Sequence, residues 1–266
     1  MKPVQENKRG EREVQFFQTV ASSTDPAVKV FADFIPEFHG VSKKMKNGKE
    51  KTFLMMENLT NNFSKACIMD IKIGTRTWGP DARYIYLYFV HTFHFPLSGK
   101  YYHCFSPEKQ AQQDNSYRGT KVPFGFSVPG LSAYRGKDKE EVVVKDKEFG
   151  KMLTVDNIDQ VLELFLDIST DRALAQKLAQ LFIEKLRKVE ALFQTQTTYN
   201  FYASSLLFVY DAEGAKNNQD LDSEKLQEFV NVKMIDFAHV WPAEEGKIDQ
   251  NYLKGVQSLI KLFSNV

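Results

Sequence analysis

An aspartate and a lysine stand two positions apart in residues 67 to 78, which read CIMDIKIGTRTW. Side chains alternate across a strand, so a strand here would present an apolar face and a face that carries Asp70 and Lys72. The apolar face would hold Cys67, Met69, Ile71 and Ile73, and the other face Ile68, Asp70, Lys72 and Gly74. Charges in such a strand are costly to bury unless they are paired. The pattern fits either a functional site or an Asp/Lys pair at a sheet edge.

A second acidic residue, Asp236, lies in the apolar run VKMIDFAHV, with His239 three residues later. Kinases use a buried acidic residue at a strand end, followed by Phe, to hold a magnesium ion on the phosphates of ATP. Alone, the tripeptide IDF does not distinguish such a site from an ordinary strand end.

The elements that must position these residues follow from hydrophobic periodicity. The pattern predicts helices at 8–21, 26–38, 154–169, 171–193 and from about 251 to 263. It predicts strands at 51–60, 200–212 and 231–240, and a hairpin-like turn in KKMKNGKEK around Asn47 and Gly48. Six apolar residues of the helix at 171–193 form a stripe that is expected to be core: Leu174, Leu178, Leu181, Phe182, Leu186 and Val189. The order predicts a small mixed N-terminal part and an α+β body.

Composition narrows the classes of function. The 266 residues are 42% hydrophobic and 26% charged, which is ordinary for a globular protein, and the net charge of +1 gives no global field for nucleic acid. The two cysteines, Cys67 and Cys104, favour a reducing compartment over a disulfide scaffold. The stretch YIYLYFVHTFHFPL at 84–97 is too short to span a bilayer, so no stable membrane insertion is expected.

Three segments occur in an order that resembles the signature set of the inositol polyphosphate kinase family: CIMDIKIG at 67–74, ASSLL at 203–207 and MIDFAH at 234–239. The resemblance covers almost the whole chain, and NFYASSLLFVY and MIDFAHV are most similar to the multikinase branch. The run Gly74, Thr75, Arg76 is shared with the branch that acts on inositol hexakisphosphate, which stays the alternative. The resemblance implies an α+β, two-lobed, protein-kinase-like (ATP-grasp-like) fold. Residues 1–58 would be a partial nucleotide-binding lobe with the hinge, and residues 59–266 the catalytic and inositol-phosphate-binding lobe.

The resemblance also implies the catalytic roles, with ATP and Mg²⁺ as cofactors. Lys72 would contact the transferring phosphoryl group and the substrate, and Asp70 would orient the attacking hydroxyl or ATP. Asp236 would hold magnesium, helped by Ser205 unless that hydroxyl only bonds the backbone. Because phosphoryl transfer needs alignment and charge neutralisation, a cation and an acid on one rigid strand suit it.

In the small lobe, Lys2 resembles the lysine that grips the ATP phosphates, and Glu13 resembles its ion-pair partner. Glu57 matches the hinge position at which adenine hydrogen-bonds, largely through backbone groups. Single Lys and Glu residues are otherwise usually solvated surface.

Substrate recognition is expected from SPEKQAQQDNSY at 106–117, which resembles the family's helix after the first motif. Lys109 and Gln113 lie at i and i+4, with Gln112 beside them, and offer a cation and amide donors. The family's further lysine on this helix is Ser116 here. Lys147 and His239 match further substrate contacts, although a structural role for the histidine stays open.

Three features depart from the family pattern. Ala66 replaces the proline that opens the first motif. Lys2 follows the first methionine directly, where the family has a further β-hairpin, so a truncated small lobe is expected. Residues 83–105 have no family counterpart and are predicted to be an insertion, either a gene-model error or a lineage-specific loop. The spacing of the histidines and the cysteine in this segment matches no standard zinc site.

The sequence thus predicts an ATP-dependent kinase that acts on inositol tris- and tetrakisphosphates. A hexakisphosphate kinase and a catalytically weak scaffold are the alternatives. A cytoplasmic and nuclear monomer is expected.

Overall fold

The computed structural model describes residues 1–6, 8–46, 48–79, 111–112, 115–219 and 223–266. Its first part is a three-stranded antiparallel sheet with strand order β1-β3-β2. The strands are β1 (Lys2–Pro3), β2 (Phe38–Lys46) and β3 (Lys49–Met56). The helices beside this sheet are α1 (Lys8–Ser22) and α2 (Pro26–Lys29), and a 3₁₀ turn (Val30–Asp33) follows them.

A five-stranded antiparallel sheet with strand order β6-β5-β4-β8-β9 forms the larger part. Its strands are β4 (Ala66–Ile73), β5 (Phe126–Arg135), β6 (Glu141–Lys145), β8 (Ser205–Asp211) and β9 (Val230–Ile235). A two-stranded ribbon pairs β7 (Tyr199–Phe201) with β10 (Val240–Pro242).

Helices flank the large sheet. They are α3 (Arg118–Phe124), α4 (Lys147–Lys151), α5 (Asp159–Leu166), α6 (Arg172–Thr195), α7 (Ala212–Asn217), α8 (Ser223–Leu226) and α9 (Gln250–Phe263). All six residues of the predicted apolar stripe on α6 are buried, as expected of core. Within the described ranges, no helix combines the length and the apolar composition needed to cross a membrane.

The predicted alternation of β4 is confirmed. Cys67, Met69, Ile71 and Ile73 are at most 1% exposed, whereas their neighbours on the other face are partly accessible. The sheet-edge explanation of Asp70 and Lys72 is wrong, because β4 is the middle strand of five and no ion pair joins these two side chains. Two charged side chains therefore project from the centre of a sheet without neutralising each other.

Several element predictions need correction. The helix expected at 154–169 begins only at Asp159, because the Asn157 side chain accepts the Thr154 N–H in a turn (2.7 Å). The helix expected at 26–38 is only the short α2 and a 3₁₀ turn. The hairpin expected in KKMKNGKEK is confirmed, because β2 and β3 pair antiparallel with Lys46 opposite Lys49, although the two strands take up most of that stretch. Each of the strands expected at 200–212 and 231–240 is two strands, separated by 202–204 and 236–239. β5 and β6 were not predicted.

A buried carboxylate fastens the β5–β6 turn to the end of α5. The side chain of Asp167 is 1% exposed and accepts hydrogen bonds from Lys139 Nζ (2.7 Å), Arg135 Nε (3.0 Å), the Gly136 N–H (2.9 Å) and Thr170 Oγ1 (2.8 Å). Burial alone would raise the pKa of Asp167, but the hydrogen bonds from Lys139, Thr170 and Arg135 outweigh it and lower the pKa. The resulting stabilisation is present above the ordinary carboxyl pKa and is lost as pH falls through the lowered one.

We expect Asp167→Asn to reduce the free energy of unfolding by about 3–5 kcal/mol, because it leaves the cation of Lys139 buried without a charged partner. Asparagine tolerates the left-handed backbone at this position (φ 57°), so the change isolates the charge. Urea unfolding at pH 7 measures the loss, with Asp159→Asn, an exposed carboxylate in the first turn of α5, as the control. A loss below about 1 kcal/mol would show that the network contributes little.

Candidate active site

Three strand ends of the large sheet meet at one place. The antiparallel register sets Lys72 opposite Ser205 and Ser205 opposite Ile235, the residue before Asp236. Asp70 lies opposite Leu207 on the same face. Four of the residues predicted to act in catalysis and metal binding, Asp70, Lys72, Ser205 and Asp236, therefore come together where β4 and β9 end and β8 begins.

The two interruptions that sequence periodicity did not predict shape this place. Ala203 and Asp236 have left-handed backbones, with φ of 54° and 64°. Non-glycine residues adopt this conformation rarely, and such strain is often found at functional sites. The Ser204 hydroxyl donates to the Ile235 carbonyl (2.8 Å) and so ties one turn to the other.

Asp70 lies in an environment that opposes its ionisation. Burial raises its pKa, and the charge of Asp236 adds to the rise, while the Ser205 hydroxyl and the charges of Lys72 and Lys2 oppose it. Asp70 Oδ1 and Ser205 Oγ are buried close to each other, but neither has a hydrogen bond of ordinary length and angle to a described residue. Buried polar atoms normally have partners, so these two oxygens mark a place prepared for another group.

Lys2 connects two carboxylates across the two sheets. Its ammonium lies 2.7 Å from Glu13 Oε1 and 2.5 Å from Asp236 Oδ1. Burial would lower the pKa of Lys2, but the charges of Asp236 and Glu13 raise it, so the side chain stays protonated. The structure thus brings together the predicted ion pair and the predicted metal ligand.

Glu13 and Phe237 hold the turn at Asp236. Glu13 is 2% exposed and also accepts the Phe237 N–H (3.2 Å). The Phe237 ring is fully buried, with its centroid 4.4 Å from that of Phe16 and 5.2 Å from that of Phe17, both on α1. The apolar anchor fixes the direction of the Asp236 carboxylate, because Phe237 cannot leave this cluster without exposing its ring.

A pocket of about 370 Å³ lies between the two sheets. Lys2, Glu13 and Asp236 line one end, and Glu57, Asn58, Leu59 and Thr60 line the segment that joins the sheets. Its apolar walls are Phe17, Pro36, Met56, Ile68, Leu207, Val209 and Ile235. An apolar slot with polar groups at one end suits a planar base that carries a phosphate chain.

Glu57, which was predicted to lie at the hinge, is fixed by two hydrogen bonds to Glu37, the residue that precedes β2. Its N–H donates to the Glu37 carbonyl (2.9 Å), and its Oε2 accepts the Glu37 N–H (3.2 Å). Sequence reasoning did not predict the apolar walls. The alternation of β4 could have indicated Ile68, which shares a face with Asp70.

The oxygen atoms of this site fit a magnesium ion. The Asp236 carboxylate and the Ser205 hydroxyl are hard ligands of the kind that Mg²⁺ prefers. No group of three or more His, Cys, Asp and Glu side chains that could hold a metal occurs in the part of the chain that the structure describes. Such a site suits a magnesium ion that is shared with nucleotide phosphates and water, because Mg²⁺ is usually bound by only one or two carboxylates.

The predicted substrate residues are only partly placed. Gln112 is exposed near the start of α3, and Lys147 is exposed at the first position of α4. The His239 carbonyl accepts the Tyr202 N–H (3.1 Å), which holds the histidine beside the turn at 202–204. Lys109, Gln113 and the whole segment 83–105 lie outside the described residues.

Comparison with known proteins gives a consistent family. The sequence profile described as inositol polyphosphate kinase matches residues 53–264. Inositol polyphosphate multikinase alpha of Arabidopsis thaliana is 27% identical over 276 residues, covering 100% of this chain and 86% of the relative. Inositol hexakisphosphate kinase 3 of Mus musculus is 29% identical over 231 residues, covering 82% of this chain and 52% of the relative.

The fold is also that of a solved structure. The crystal structure of the Saccharomyces cerevisiae inositol phosphate multikinase Ipk2, in complex with ADP and Mn²⁺, superposes with a TM-score of 0.71 at 21% identity. The match covers 99% of this chain and 97% of that one. The predicted kinase-like α+β fold is therefore confirmed.

Proposed function

The chain belongs to the inositol polyphosphate kinase family, and from this premise we propose that it transfers the γ-phosphoryl group of ATP to hydroxyl groups of soluble inositol tris- and tetrakisphosphates. Family membership makes it an ATP-dependent phosphotransferase. The multikinase type is part of the proposal and is supported by the similarity to the Arabidopsis thaliana multikinase over the whole chain. The observation that carries the proposal is the continuity of one site. The apolar pocket ends at Lys2 and Asp236, and the charged face of β4 begins beside it.

Each residue then has a role in the transfer. The base would lie over Ile68 and Leu207 and reach the predicted hinge at Glu57, which would aim the phosphate chain at Lys2. Lys2 neutralises the phosphates, and Glu13 positions Lys2. Asp236, helped by Ser205, would hold the magnesium ion, which when bound supplies positive charge to the phosphate oxygens.

The reacting groups meet over β4. Asp70 accepts a hydrogen bond from the attacking hydroxyl and orients its oxygen toward the γ-phosphorus. As the new P–O bond forms, the bond between the γ-phosphorus and the bridging oxygen breaks, ADP leaves, and the hydroxyl proton passes to the Asp70 carboxylate. Lys72 neutralises the charge that spreads over the transferring phosphoryl oxygens, where a fixed cation is most effective.

The test is transfer of labelled γ-phosphate from ATP to a panel of inositol tris-, tetrakis-, pentakis- and hexakisphosphates. We expect product from the tris- and tetrakisphosphates. Product from the hexakisphosphate alone would favour the pyrophosphate-forming branch, whose mouse member is similar to this chain. No transfer to any of them would contradict the proposal, and magnesium-dependent ADP binding, measured in parallel, would then separate an inactive scaffold that binds nucleotide from one that does not.

A further inference from the structure

Arg76 lies beyond the end of β4, four residues after Lys72, and its guanidinium contacts two aromatic rings. The guanidinium carbon is 3.9 Å from the centre of the Trp78 ring and 4.8 Å from that of Tyr202. Its Nε donates to the Trp78 carbonyl (2.9 Å). The two ring contacts and the hydrogen bond restrict the guanidinium to one orientation, which reduces the conformational entropy that the side chain would lose on binding a ligand.

The backbone below Arg76 is equally constrained. Asn251, at the start of α9, accepts hydrogen bonds from the Thr75 N–H (2.9 Å) and the Arg76 N–H (3.1 Å) and donates to the Arg76 carbonyl (3.1 Å). Gly74 has φ of 104°, and a Cβ there would lie 2.3 Å from Asn251 Nδ2. Only glycine permits this approach, so the loop presents Arg76 from a fixed position.

The charge of Arg76 is not neutralised within the described part of the chain. No carboxylate there lies within ion-pair distance of it, although the side chain is half-buried. Lys2 and Arg135, two other partly buried cations, do have acidic partners. A fixed, half-buried guanidinium without an acid is suited to an anionic ligand, because it can donate two parallel hydrogen bonds to a phosphate.

The position of Arg76 separates it from the nucleotide pocket. Along β4, Ile68 lines that pocket, and Lys72 stands about 13 Å farther along at the rise of a strand. Arg76 lies beyond Lys72, against Tyr202, and the Tyr202 N–H bonds the His239 carbonyl. Lys72, Arg76 and His239 thus surround the turn at 202–204, on the side of the reacting centre away from the base.

We propose that Arg76 binds a phosphate group of the inositol phosphate substrate, one remote from the hydroxyl that is phosphorylated. The proposal rests on the proposed function. Arg76 would fix the orientation of the ring and so contribute to the choice of hydroxyl. Trp78 and Tyr202 act as positioning residues, since they hold the guanidinium without contacting the substrate.

The test compares Arg76→Gln and Arg76→Lys with the unchanged chain. We expect Arg76→Gln to raise the KM for inositol tetrakisphosphate about 10- to 100-fold, because the substrate loses hydrogen bonds between charged groups. The KM for ATP should change less than about twofold. The substrate KM of Arg76→Lys should lie between those of Arg76→Gln and the unchanged chain, because lysine keeps the charge but lacks the two parallel N–H donors of the guanidinium. The dependence of substrate affinity on salt, measured by calorimetry in the presence of ADP, should become shallower in Arg76→Gln.

The matched control is Arg187→Gln, which removes an exposed arginine of α6 that pairs with Glu190. Equal substrate KM values in Arg76→Gln and the unchanged chain would overturn the proposal for Arg76 alone. If the KM for the inositol phosphate and the KM for ATP both rose in Arg76→Gln, and its melting temperature fell, Arg76 would only support the fold. Failure of the unchanged chain to bind any inositol phosphate would overturn the proposed function and this inference with it.

Discussion

Replacement of Asp236 by asparagine is expected to lower the rate of phosphoryl transfer by about a thousandfold. Asp236 is the carboxylate that faces Lys2 at the end of the nucleotide pocket, and its left-handed backbone aims it there. Asparagine keeps the size of the side chain and tolerates that backbone, so the loss would come from the charge.

Two measurements separate a metal-binding role from a general loss of structure. Calorimetric titration with ADP, in the presence and absence of Mg²⁺, should show that the metal-dependent gain in ADP affinity disappears in Asp236→Asn. The melting temperature should change little, because the Asp236 side chain is 39% exposed and Phe237 still anchors the turn. Asp159→Asn is the control, and its transfer rate should equal that of the unchanged chain. A transfer rate of Asp236→Asn within tenfold of that of the unchanged chain would show that Asp236 has no catalytic role.

The alternation of β4 could be predicted from the sequence because the middle strand of a sheet with one core face leaves a clear period of two. The helices at Lys8–Ser22 and Arg172–Thr195 were equally accessible, since each has a continuous apolar stripe. The interruptions at 202–204 and 236–239 could not be predicted from the sequence. Both depend on left-handed residues that are not glycine, Ala203 and Asp236, so no local signal marked them.

β5 was missed for a different reason. Pro129 and Gly130 interrupt its apolar pattern, and both normally weaken a strand prediction. In the structure the register with β4 shifts between Asp70, opposite Gly130, and Lys72, opposite Ser127, so the proline lies in a bulge. Bulges concentrate beside functional sites, where they redirect side chains. The local sequence rule failed where the sheet bends beside the two candidate catalytic residues.

The residues that gather at the site differ in how far sequence could place them. Lys2, Glu13 and Asp236 are separated by up to 234 positions, and only the family resemblance linked them before the structure did. Arg76 was visible only as part of a motif shared with one branch. Its aromatic contacts depend on Tyr202, which belongs to a turn that periodicity did not predict.

Asp70→Asn is expected to lower kcat about 10²- to 10⁴-fold, the range for loss of a positioned proton acceptor. The affinity for ADP should change little, because Asp70 lies beyond the residues that line the nucleotide pocket. Steady-state kinetics with an inositol tetrakisphosphate, together with ADP binding by calorimetry, would measure both. A strong loss of ADP affinity with normal kcat at saturation would instead assign Asp70 to the nucleotide.

The same substitution has a distinctive effect on stability. Burial raises the pKa of Asp70, so the folded state holds its proton more tightly than the unfolded chain does. Stability therefore falls as pH rises from the ordinary carboxyl pKa through the raised one, and at pH 7 the ionised side chain is a cost. Asparagine removes the charge, so Asp70→Asn should melt at the same temperature as the unchanged chain or higher. A clear decrease in melting temperature would show that Asp70 supports the fold.

The pH dependence of the unchanged enzyme supplies the last test of Asp70. Since the ionised form must accept the hydrogen bond of the attacking hydroxyl, kcat/KM should fall as pH drops through the raised pKa that Asp70 has in the free enzyme, at a higher pH than an ordinary aspartate would give. The low residual rate of Asp70→Asn should lack this acidic limb. If both proteins show the same limb, another group titrates in the reaction. A buried carboxylate that costs stability when ionised would then have no catalytic reason to be kept at the centre of the sheet.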